Sequence, residues 1–312
     1  MSVVEKKSRI LKAIRDYFDK TQALEVITDI LRPYPNLDSN VYPLKVEFFD
    51  ETYTKKIGYL HTSPEFEMKK ILSKEKRDIY QITKVFRNYE GSKKHKVEFT
   101  MLEWYRVGYS LDDLMEDTKN IFIEACISIH KKTKVEYLGK VYDLSIWEKI
   151  TVDEAFYRYA GVYPDDYQSM ERVVREKINY RGNDLDYETV FFLIYSHLVE
   201  PKLGKDKPVF IYDYPPLFSA LAKIENGKGK RFEAYINGLE LVNGYYEENN
   251  PSEIKRRFLR DIRQKFNETG EKYPLDKDFL KSLKSLPECS GASLGVDRLF
   301  MVLLNKDNIK SI

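Results

Sequence analysis

The sequence predicts an α+β domain built on an antiparallel β-sheet flanked by helices. Two segments, 86–106 and 232–244, are typical of β-hairpins because each has two strand-like runs joined by a turn. Helical patterns lie between the strands, but they do not recur in the regular β-α-β order that builds a parallel sheet. With 312 residues, of which 14% are aromatic, the chain is expected to bury a full core.

The first half of the chain opens directly into a folded element. Apolar residues at helical spacing predict a helix over about residues 7 to 20, and a strand is predicted over 24–31. Ser110, with an acidic residue three positions later, marks the start of a long helix that ends at about residue 131. A small hairpin is predicted around 138–140.

The second half is mainly helical before it returns to strands. Thr151 and Glu154 form a helix-start signal, and the segment from about 150 to 205 is predicted to be mostly helical. The run VFIYDYPP is typical of a strand that stops at its two prolines. Asn250 before a proline predicts a further helix that ends near Gly270.

Charge and cysteine content restrict the function classes. The chain has 52 Lys and Arg against 50 Asp and Glu, and a net charge of +2 gives no overall field for tracking nucleic acid. Cys126 and Cys289 provide neither a disulfide framework nor metal-ligand spacing. The N-terminus has no signal-peptide pattern, and no apolar run approaches a membrane span. A cytoplasmic protein without a membrane partner is expected.

The first hairpin, FRNYEGSKKHKVEFTMLEWYR, carries a basic tip at 93–96. Because side chains alternate along a strand, four residues of its second strand share one face: Phe99, Met101, Glu103 and Tyr105. Arg87 can project from the end of the first strand beside them. The tip could bind nucleic acid or close over the phosphates of a small molecule, and the polar face could also be ordinary cross-strand pairs in solvent.

The second hairpin, RFEAYINGLELVNGYYEE, contains closely spaced carboxylates. Its Asn237-Gly238 turn pairs the flanking residues and brings Glu233 and Glu240 to one face as diagonal neighbours. Two carboxylates repel there unless a cation lies between them, and Mg²⁺ is held in this way by carboxylates and substrate phosphates. Glu247 could supply a third negative charge. A charged surface hairpin is the alternative.

A glycine-rich segment, CSGASLGVDRLFMVLL, leads into an apolar helix. We expect a small-residue loop at Cys289, a helix start near Gly295 and Arg298 in the first turns. Glycines allow a ligand to approach the backbone, and an arginine there can pair with phosphate oxygens. An ordinary helix start with a surface arginine is the alternative.

Together these segments resemble motifs 2 and 3, and the carboxylate strands between them, of the lysine branch of class II aminoacyl-tRNA synthetases. TSPEFEMKK, EFTMLEWYR, VEPKLGKDKP, GLELVNGYYE and CSGASLGVDRLFM are most similar to the elongation factor P β-lysine ligases, paralogues of the lysyl-tRNA synthetase catalytic domain. The resemblance implies one catalytic domain over 1–312, an antiparallel sheet of six or more strands, and a homodimer through residues 7–35. No anticodon-binding domain is expected.

The resemblance implies ATP and Mg²⁺ as cofactors. Arg87 would hold the α-phosphate and the substrate carboxylate, and Arg298 would clamp the γ-phosphate. Glu233 and Glu240 would hold Mg²⁺ against the triphosphate. The other expected nucleotide contacts are Phe99 on adenine, His95 on the outer phosphates, and Tyr89, Glu90, Lys96, Leu241 and Gly295.

The same resemblance implies an amino-acid end for lysine or β-lysine. Glu247 and Tyr105 would receive the distal ammonium, and Asn243 would lie near the substrate carboxylate. The other residues expected to line this end are Ser63, Pro64, Glu65, Glu103 and Ser293.

Four positions depart from the family pattern. Arg87 is followed by Asn and Tyr before Glu90, so either Glu90 reads the adenine amino group or adenine is read differently. Lys96 replaces an asparagine that would contact the nucleotide, and Asp29 replaces the motif 1 proline. Ser293 stands where the ligases usually have alanine and the synthetases glycine, which leaves the choice between α-lysine and β-lysine open.

The implied activity is an ATP-dependent ligase that forms a lysyl-type adenylate and transfers the acyl group to a lysine of elongation factor P. Such chemistry needs positioning and charge neutralisation rather than an enzymic nucleophile. One alternative is a minimal synthetase-like enzyme that charges tRNA or another amine carrier, although tRNA is an unlikely partner for a chain without a basic excess. The other is a non-catalytic paralogue that binds nucleotide, RNA or protein.

Overall fold

A nine-stranded β-sheet runs through the protein in the computed structural model, which describes residues 1–183 and 185–312. The strands of this sheet and of two smaller ones are, in chain order, β1 (Leu24–Glu25), β2 (Leu31–Arg32), β3 (Leu44–Phe49), β4 (Lys55–Leu60), β5 (Ile79–Phe86), β6 (Glu98–Val107), β7 (Lys134–Tyr137), β8 (Lys140–Asp143), β9 (Glu148–Thr151), β10 (Val209–Tyr214), β11 (Ile224–Glu225), β12 (Lys228–Ile236), β13 (Leu239–Tyr246) and β14 (Cys289–Gly295).

The large sheet has the spatial order β1-β5-β6-β14-β13-β12-β10-β9, with β11 beside β12. Its six central strands, from β5 to β10, pair only in antiparallel fashion. The outer pairs β1–β5 and β9–β10 are parallel. The predicted antiparallel sheet of six or more strands is therefore confirmed, and the parallel pairs at its two sides are an addition.

The helices are α1 (Val3–Lys20), α2 (Glu65–Glu75), α3 (Leu111–His130), α4 (Val152–Ala160), α5 (Tyr167–Glu176), α6 (Tyr187–Ile194), α7 (Pro251–Thr269), α8 (Lys277–Ser282) and α9 (Val296–Leu303). Ser110 and Thr151 cap α3 and α4 through capping boxes, and the side chain of Asn250 accepts hydrogen bonds from the first turn of α7. The predicted start of each of these helices is confirmed. The mainly helical segment before β10 is confirmed as well.

Three local predictions need correction. Helix α1 begins at Val3 rather than residue 7, because Ser2 and Glu5 form a capping box. The segment 24–31 is not one strand: Leu24–Glu25 pairs with β5, and the chain then crosses to a separate sheet in which Leu31–Arg32 pairs with β4.

The third correction concerns Cys289, which begins strand β14 rather than lying in a loop. Small residues are required there because the neighbouring strands carry large side chains. A Cβ atom on Gly291 would lie 2.3 Å from the Tyr105 ring. The glycines that suggested a loop therefore allow β14 to lie beside β6.

A bulge interrupts the pairing of β12 with β13. Tyr235 pairs with Glu240, as the turn predicts, but Ala234 pairs with Val242, so Leu241 is an extra residue on β13. An extra residue reverses the alternation of side chains beyond it. Asn243, Tyr245 and Glu247 consequently face the same side of the sheet as Glu240.

The main hydrophobic core covers the other side of the sheet. Helices α1, α3 and α9 contribute to it with side chains such as Phe18, Phe122 and Phe300, which surround the strand residues Leu102 and Trp104. One further cluster packs α4, α5 and α6 near β9 and β10, and another packs α2, α7 and α8. No helix in the described part of the chain has the length and hydropathy needed to cross a membrane.

Candidate active site

A cavity of about 410 Å³ lies on the antiparallel strands, on the side opposite α1 and α3. Part of its floor is a row of directly paired residues, in which Glu103 on β6 faces Ser293 on β14. Ser293 faces Asn243 on β13, and Asn243 faces Glu233 on β12. The sheet register therefore brings residues from four strands, far apart in the sequence, into one line.

Most of the predicted site residues line this cavity: Ser63, Glu65, Arg87, Glu90, His95, Lys96, Phe99, Glu103, Tyr105, Glu233, Glu240, Leu241, Asn243, Glu247, Ser293, Gly295 and Arg298. Four separate sequence segments thus form a single site. The contacts among these residues form two groups: one holds the cations Arg87 and Arg298 together with Glu240, and the other holds Glu65, Glu103 and Glu247.

Two predicted residues do not line the cavity. Tyr89 has φ of 60° and is 76% exposed, and its ring packs against Tyr42 with the ring centroids 5.4 Å apart. The backbone turn at this position directs the ring away from the site, whereas Glu90 does reach the cavity. Pro64 is the N-cap residue of α2 and positions the helix start instead of lining the site.

The cationic end of the cavity consists of Arg87, Lys94, His95, Lys96 and Arg298. Arg298, at the start of α9, donates a hydrogen bond to the backbone carbonyl of Glu240 at 2.8 Å. The Arg87 guanidinium lies 5.2 Å from the centre of the Phe99 ring. These groups can bind a polyanion, because guanidinium groups pair well with phosphate oxygens.

The basic loop, residues 87–97, lies over the cationic end of the cavity. Arg298 donates a hydrogen bond to His95 Nε2, and Lys94 Nζ donates one to the carbonyl of Gly238 at 3.2 Å. Burial, together with Arg298 and Arg87, lowers the pKa of His95 to about 4. His95 is therefore neutral near pH 7 and accepts the hydrogen bond from Arg298.

The two carboxylates predicted to hold a metal have different surroundings. Glu233 accepts hydrogen bonds from Arg231, from Tyr195 at 2.9 Å and from Tyr235 at 2.7 Å. Among the described residues, the side chain of Glu240 has only a distant contact with Arg298, at 3.5 Å, and burial and the charge of Glu233 raise its pKa. Glu240 is thus the carboxylate available to a cation.

Glu200, to which the sequence analysis gave no role, adds a further carboxyl group near this pair. Burial, followed by the charges of Glu240 and Glu233, raises the pKa of Glu200 to about 7. It lies in the VEPKLGKDKP segment. The described residues contain no group of three or more His, Cys, Asp or Glu side chains arranged to hold a metal ion.

The acidic end consists of Glu65, Glu103 and Glu247. Glu103 accepts hydrogen bonds from Ser63 at 2.6 Å and from Tyr105 at 2.7 Å. Burial raises the pKa of Glu103 to about 8, with the nearby Glu65 as the next cause. Three buried carboxyl groups can bind a ligand with positive charges, because each lacks enough cations within the fold.

Glu247 shows this lack most clearly. It is 2% exposed, and its Oε1 atom accepts no hydrogen bond among the described residues. Burial raises its pKa to about 8, against the opposing effect of Lys69. A buried, unpaired carboxylate oxygen is costly, so a donor from a ligand is expected at this atom.

Lys69 and Arg231 are the cations that the sequence analysis missed. The Lys69 ammonium lies 2.5 Å from Glu65 Oε1 and 2.6 Å from Glu247 Oε2, and Arg231 donates a hydrogen bond to Asn243 Oδ1 at 3.0 Å. Both lie within segments already singled out, TSPEFEMKK and RFEAYING. Lysine and arginine are ordinarily surface residues, so the sequence pattern gave no signal for their burial.

Comparison with known proteins gives consistent matches. The family model described as tRNA synthetases class II (D, K and N) matches residues 1–312. An elongation factor P–(R)-β-lysine ligase homolog from Aquifex aeolicus is 40% identical over 312 residues, covering 100% of this chain and 98% of the relative. The elongation factor P–(R)-β-lysine ligase of Vibrio cholerae is 34% identical over 322 residues, covering 100% and 94%.

A third relative, the ligase of the same name from Hamiltonella defensa, is 34% identical and covers 98% of this chain and 92% of the relative. The matches extend over the sheet and over both ends of the cavity. The chain therefore belongs to the class II (D, K and N) tRNA-synthetase family and, within it, to the elongation factor P–(R)-β-lysine ligases.

Proposed function

We propose that this protein is an ATP-dependent amino acid ligase that activates lysine or β-lysine as an aminoacyl-adenylate and transfers it to a lysine of elongation factor P. The observation that carries the proposal is a single cavity with phosphate-binding cations at one end and three buried carboxyl groups at the other. A triphosphate and a diamino acid have complementary charges to these two ends.

ATP occupies the cationic end in this proposal. Arg87 contacts the α-phosphate, Arg298 the γ-phosphate and His95 the outer phosphates, and Phe99 stacks on adenine. Further contacts come from Glu90, Lys96, Leu241 and Gly295, all of which line the cavity. Tyr89 has no nucleotide contact in this arrangement, because its ring points away from the site.

Mg²⁺ fits the same end. Glu240 offers a half-buried carboxylate whose contact with Arg298 is distant, and a divalent cation relieves its repulsion from Glu233. Glu233 either keeps its present hydrogen-bond donors and adds negative charge near Glu240, or it releases one of these donors and binds the metal directly. When bound, Mg²⁺ neutralises charge on the triphosphate.

The amino acid occupies the acidic end. Glu247 and Tyr105 receive the distal ammonium, and Ser63, Glu65 and Glu103 surround the amine nearer the carboxylate. Asn243 lies near the carboxylate, and its amide is oriented by hydrogen bonds with Arg231 and with Tyr245 at 2.8 Å. Ser293 limits the depth of the pocket between Glu103 and Asn243.

The reaction then needs two displacements. The substrate carboxylate attacks the α-phosphorus and pyrophosphate leaves, which gives the adenylate. An amine of the acceptor attacks the adenylate carbonyl, and AMP leaves as the amide bond forms. Arg87 and Arg298 orient and neutralise the phosphates, so the protein contributes positioning and charge.

Elongation factor P is the proposed acceptor because the curated relatives are named as ligases of that factor. The chain carries a net charge of only +2, and several of the basic groups in loop 87–97 are placed at the ATP end, which disfavours the minimal tRNA-charging alternative. The intact set of Arg87, Arg298, Glu240 and Glu247 disfavours a non-catalytic paralogue.

A homodimer through residues 7–35 and a cytoplasmic location complete the proposal. Apolar side chains are exposed in that region, with Ile27 at 90%, and a partner chain would cover them. Both free cysteines are buried, which suits a reducing compartment. Light scattering at several protein concentrations tests the dimer.

The central test is amino-acid-dependent exchange between ATP and pyrophosphate. Lysine, β-lysine, ornithine and norleucine are compared with and without Mg²⁺, and exchange is expected with the diamino acids and only with the metal. Absence of exchange with every diamino acid, in a folded sample that binds ATP, favours the non-catalytic alternative. Equal use of lysine and norleucine contradicts the assignment of the acidic end.

The acceptor is tested separately. Incubation with elongation factor P of the same organism, ATP and β-lysine or lysine should add one acyl group to the factor, stable as an amide and visible by intact mass. Little or no charging of tRNA is expected under the same conditions. Efficient charging of tRNA with an unmodified factor supports the tRNA alternative.

A further inference from the structure

A lysine of the chain itself lies against the carboxyl groups proposed to bind the substrate amines. Lys69 is 1% exposed, and its ammonium contacts both Glu65, at 2.5 Å, and Glu247, at 2.6 Å. It also lies 5.8 Å from the centre of the Tyr105 ring. Glu65 precedes Lys69 by one helical turn on α2, whereas Glu247 follows β13, so this ammonium connects two separate elements.

The charges at the acidic end do not balance without a ligand. Glu65, Glu103 and Glu247 can carry three negative charges when ionised, and Lys69 supplies one positive charge. The remainder is two negative charges in a buried site. Lysine and β-lysine each carry two ammonium groups besides the carboxylate, so either substrate supplies the two missing positive charges.

We propose that Lys69 is a positioning residue that sets the selectivity of the acidic end for amino acids with two ammonium groups, by bridging Glu65 and Glu247 and cancelling one of the three negative charges. This inference rests on the proposed function. Lys69 touches no reacting atom in it. Without Lys69, the carboxyl groups take up protons more readily and present less negative charge to the two ammonium groups.

The titration behaviour of the cluster supports this role. Burial raises the pKa of Glu103 and of Glu247 to about 8, and that of Glu65 also rises. Glu65 and Glu247 raise the pKa of Lys69, which remains charged despite its burial. The titratable groups that act on this cluster from the surrounding elements are Asp38, Tyr105, Tyr245 and Cys289.

Removal of the Lys69 charge has a pH-dependent consequence. The carboxyl groups lose the ammonium of Lys69, so their pKa values rise further and a larger fraction of them is protonated near pH 7. A protonated carboxyl group binds an ammonium poorly. The defect should therefore be large at pH 7 and should diminish as the pH rises, whereas a purely structural defect should not recover.

The experiment measures kcat/KM for lysine in ATP–pyrophosphate exchange at pH 7.0 and 8.8. Lys69→Met removes the charge with little change of shape, and each value is divided by that of the unchanged protein at the same pH. The ratio is expected to be below about one tenth at pH 7.0 and to rise at least about fivefold at pH 8.8. KM for ATP should stay within about twofold.

Lys70→Met is the matched control. Lys70 follows Lys69 on α2, but it pairs with Glu67 and Asp276, each at 2.7 Å, and does not line the cavity. Its ratio should be near one at both pH values. A constant ratio for Lys69→Met, or an equal pH-dependent loss for Lys70→Met, overturns the inference.

A charge-balanced variant covers the case in which Lys69→Met does not fold. Lys69→Met with Glu65→Gln removes one charge of each sign and leaves Glu103 and Glu247 for the two substrate amines. We expect this variant to fold, judged by circular dichroism, and to show a ratio to the unchanged protein that changes less than about twofold between pH 7.0 and 8.8. An unfolded double variant, or one whose ratio rises about fivefold or more, also overturns the inference.

Exchange by the unchanged protein distinguishes a failure of the proposed function from a failure of the role proposed for Lys69. Without lysine-dependent exchange in that protein at either pH, the proposed function fails and this inference fails with it. If the unchanged protein exchanges normally and Lys69→Met follows it at both pH values, only the role of Lys69 is wrong.

Discussion

The two ends of the cavity are opposite in charge, and the fold builds them differently. Much of the cationic end comes from loop 87–97 and the first turn of α9, and the Lys96 side chain there is 33% exposed. The acidic end comes from strand β6, from the residue that follows β13 and from α2, and Glu103, Glu247 and Lys69 are buried.

The two ends are therefore arranged for their ligands in different ways. At the acidic end the strands and Lys69 fix the carboxyl groups before a ligand arrives, so selectivity is set by the fold. At the cationic end Arg298 donates hydrogen bonds to His95 and to the backbone carbonyls of Lys94 and Glu240. A polyanion must replace some of these partners. The acidic end should therefore decide which amino acid reacts, and the cationic end how fast it reacts.

The largest effect is expected from Arg298→Ala. Loss of a cation at the triphosphate should lower the exchange rate about 10²–10³-fold while the preference for lysine over norleucine is kept. Glu240→Gln should have a similar effect through the metal. Arg158→Ala is the control, because Arg158 pairs with Glu148 at 2.7 Å outside the cavity. A change of preference in Arg298→Ala contradicts the separation of the two ends.

Glu247→Gln should have the reverse effect. A charged hydrogen bond in a closed site contributes about 1.5–3 kcal/mol, so the preference for lysine over norleucine should fall at least about tenfold, with little change in KM for ATP. The matched control is Glu67→Gln on α2, whose carboxylate pairs with Lys70 at 2.7 Å. An unchanged preference in Glu247→Gln places the distal ammonium elsewhere.

The acidic end should also make the substrate-free protein sensitive to pH. The pKa of Glu103 and that of Glu247 rise from 4.5 to about 8, so the folded state keeps protons that the unfolded state releases above about pH 4.5. Their contribution is present below that pH and is lost as the pH rises to about 8, at up to about 1.4 kcal/mol per pH unit for each proton.

Urea unfolding between pH 5 and 8 measures this loss. Glu103→Gln should reduce the slope of the free energy of unfolding against pH, and saturating lysine should reduce it in the unchanged protein. A slope that Glu103→Gln leaves unchanged shows that other groups cause the pH dependence.

The smallest effects are expected where the chain departs from the family pattern. Lys96 forms a partly exposed ion pair with Asp297 at 3.6 Å, and such pairs contribute about 0–1 kcal/mol. Lys96→Ala should therefore raise KM for ATP by less than about fivefold. Tyr89→Ala should leave KM for ATP unchanged, since the ring points away from the cavity, and a clear increase shows that loop 87–97 rearranges on binding.

Much of the fold was accessible from the sequence because its signals are local. The Asn237-Gly238 turn fixed the pairing of its own strand ends, and Ser110, Thr151 and Asn250 marked helix starts. The division of 24–31 between two sheets depends on which distant strand each half meets. No local pattern records that choice.

The same difference between local and long-range signals applies to the residues of the site. Resemblance supplied the residues expected to contact ligands, and the cavity contains nearly all of them. The partners behind them, Lys69 and Arg231, were missed because burial of a charged residue depends on residues that are distant in the sequence. Tyr89 was assigned from its place in a motif, although a positive φ at that position turns the ring outward.

The extra residue on β13 allows one strand to contribute carboxylates to both proposed binding sites. Glu240 and Glu247 are seven positions apart, an odd number, and in an uninterrupted strand they would point to opposite sides. The bulge at Leu241 restores their common side, so pairing this strand regularly at its full length would turn Glu247 toward the core, whereas deleting Leu241 leaves an even spacing and should keep both carboxylates on the cavity side. In related chains, an odd spacing with a bulge, or an even spacing without one, indicates that the two carboxylates face the same side of the sheet.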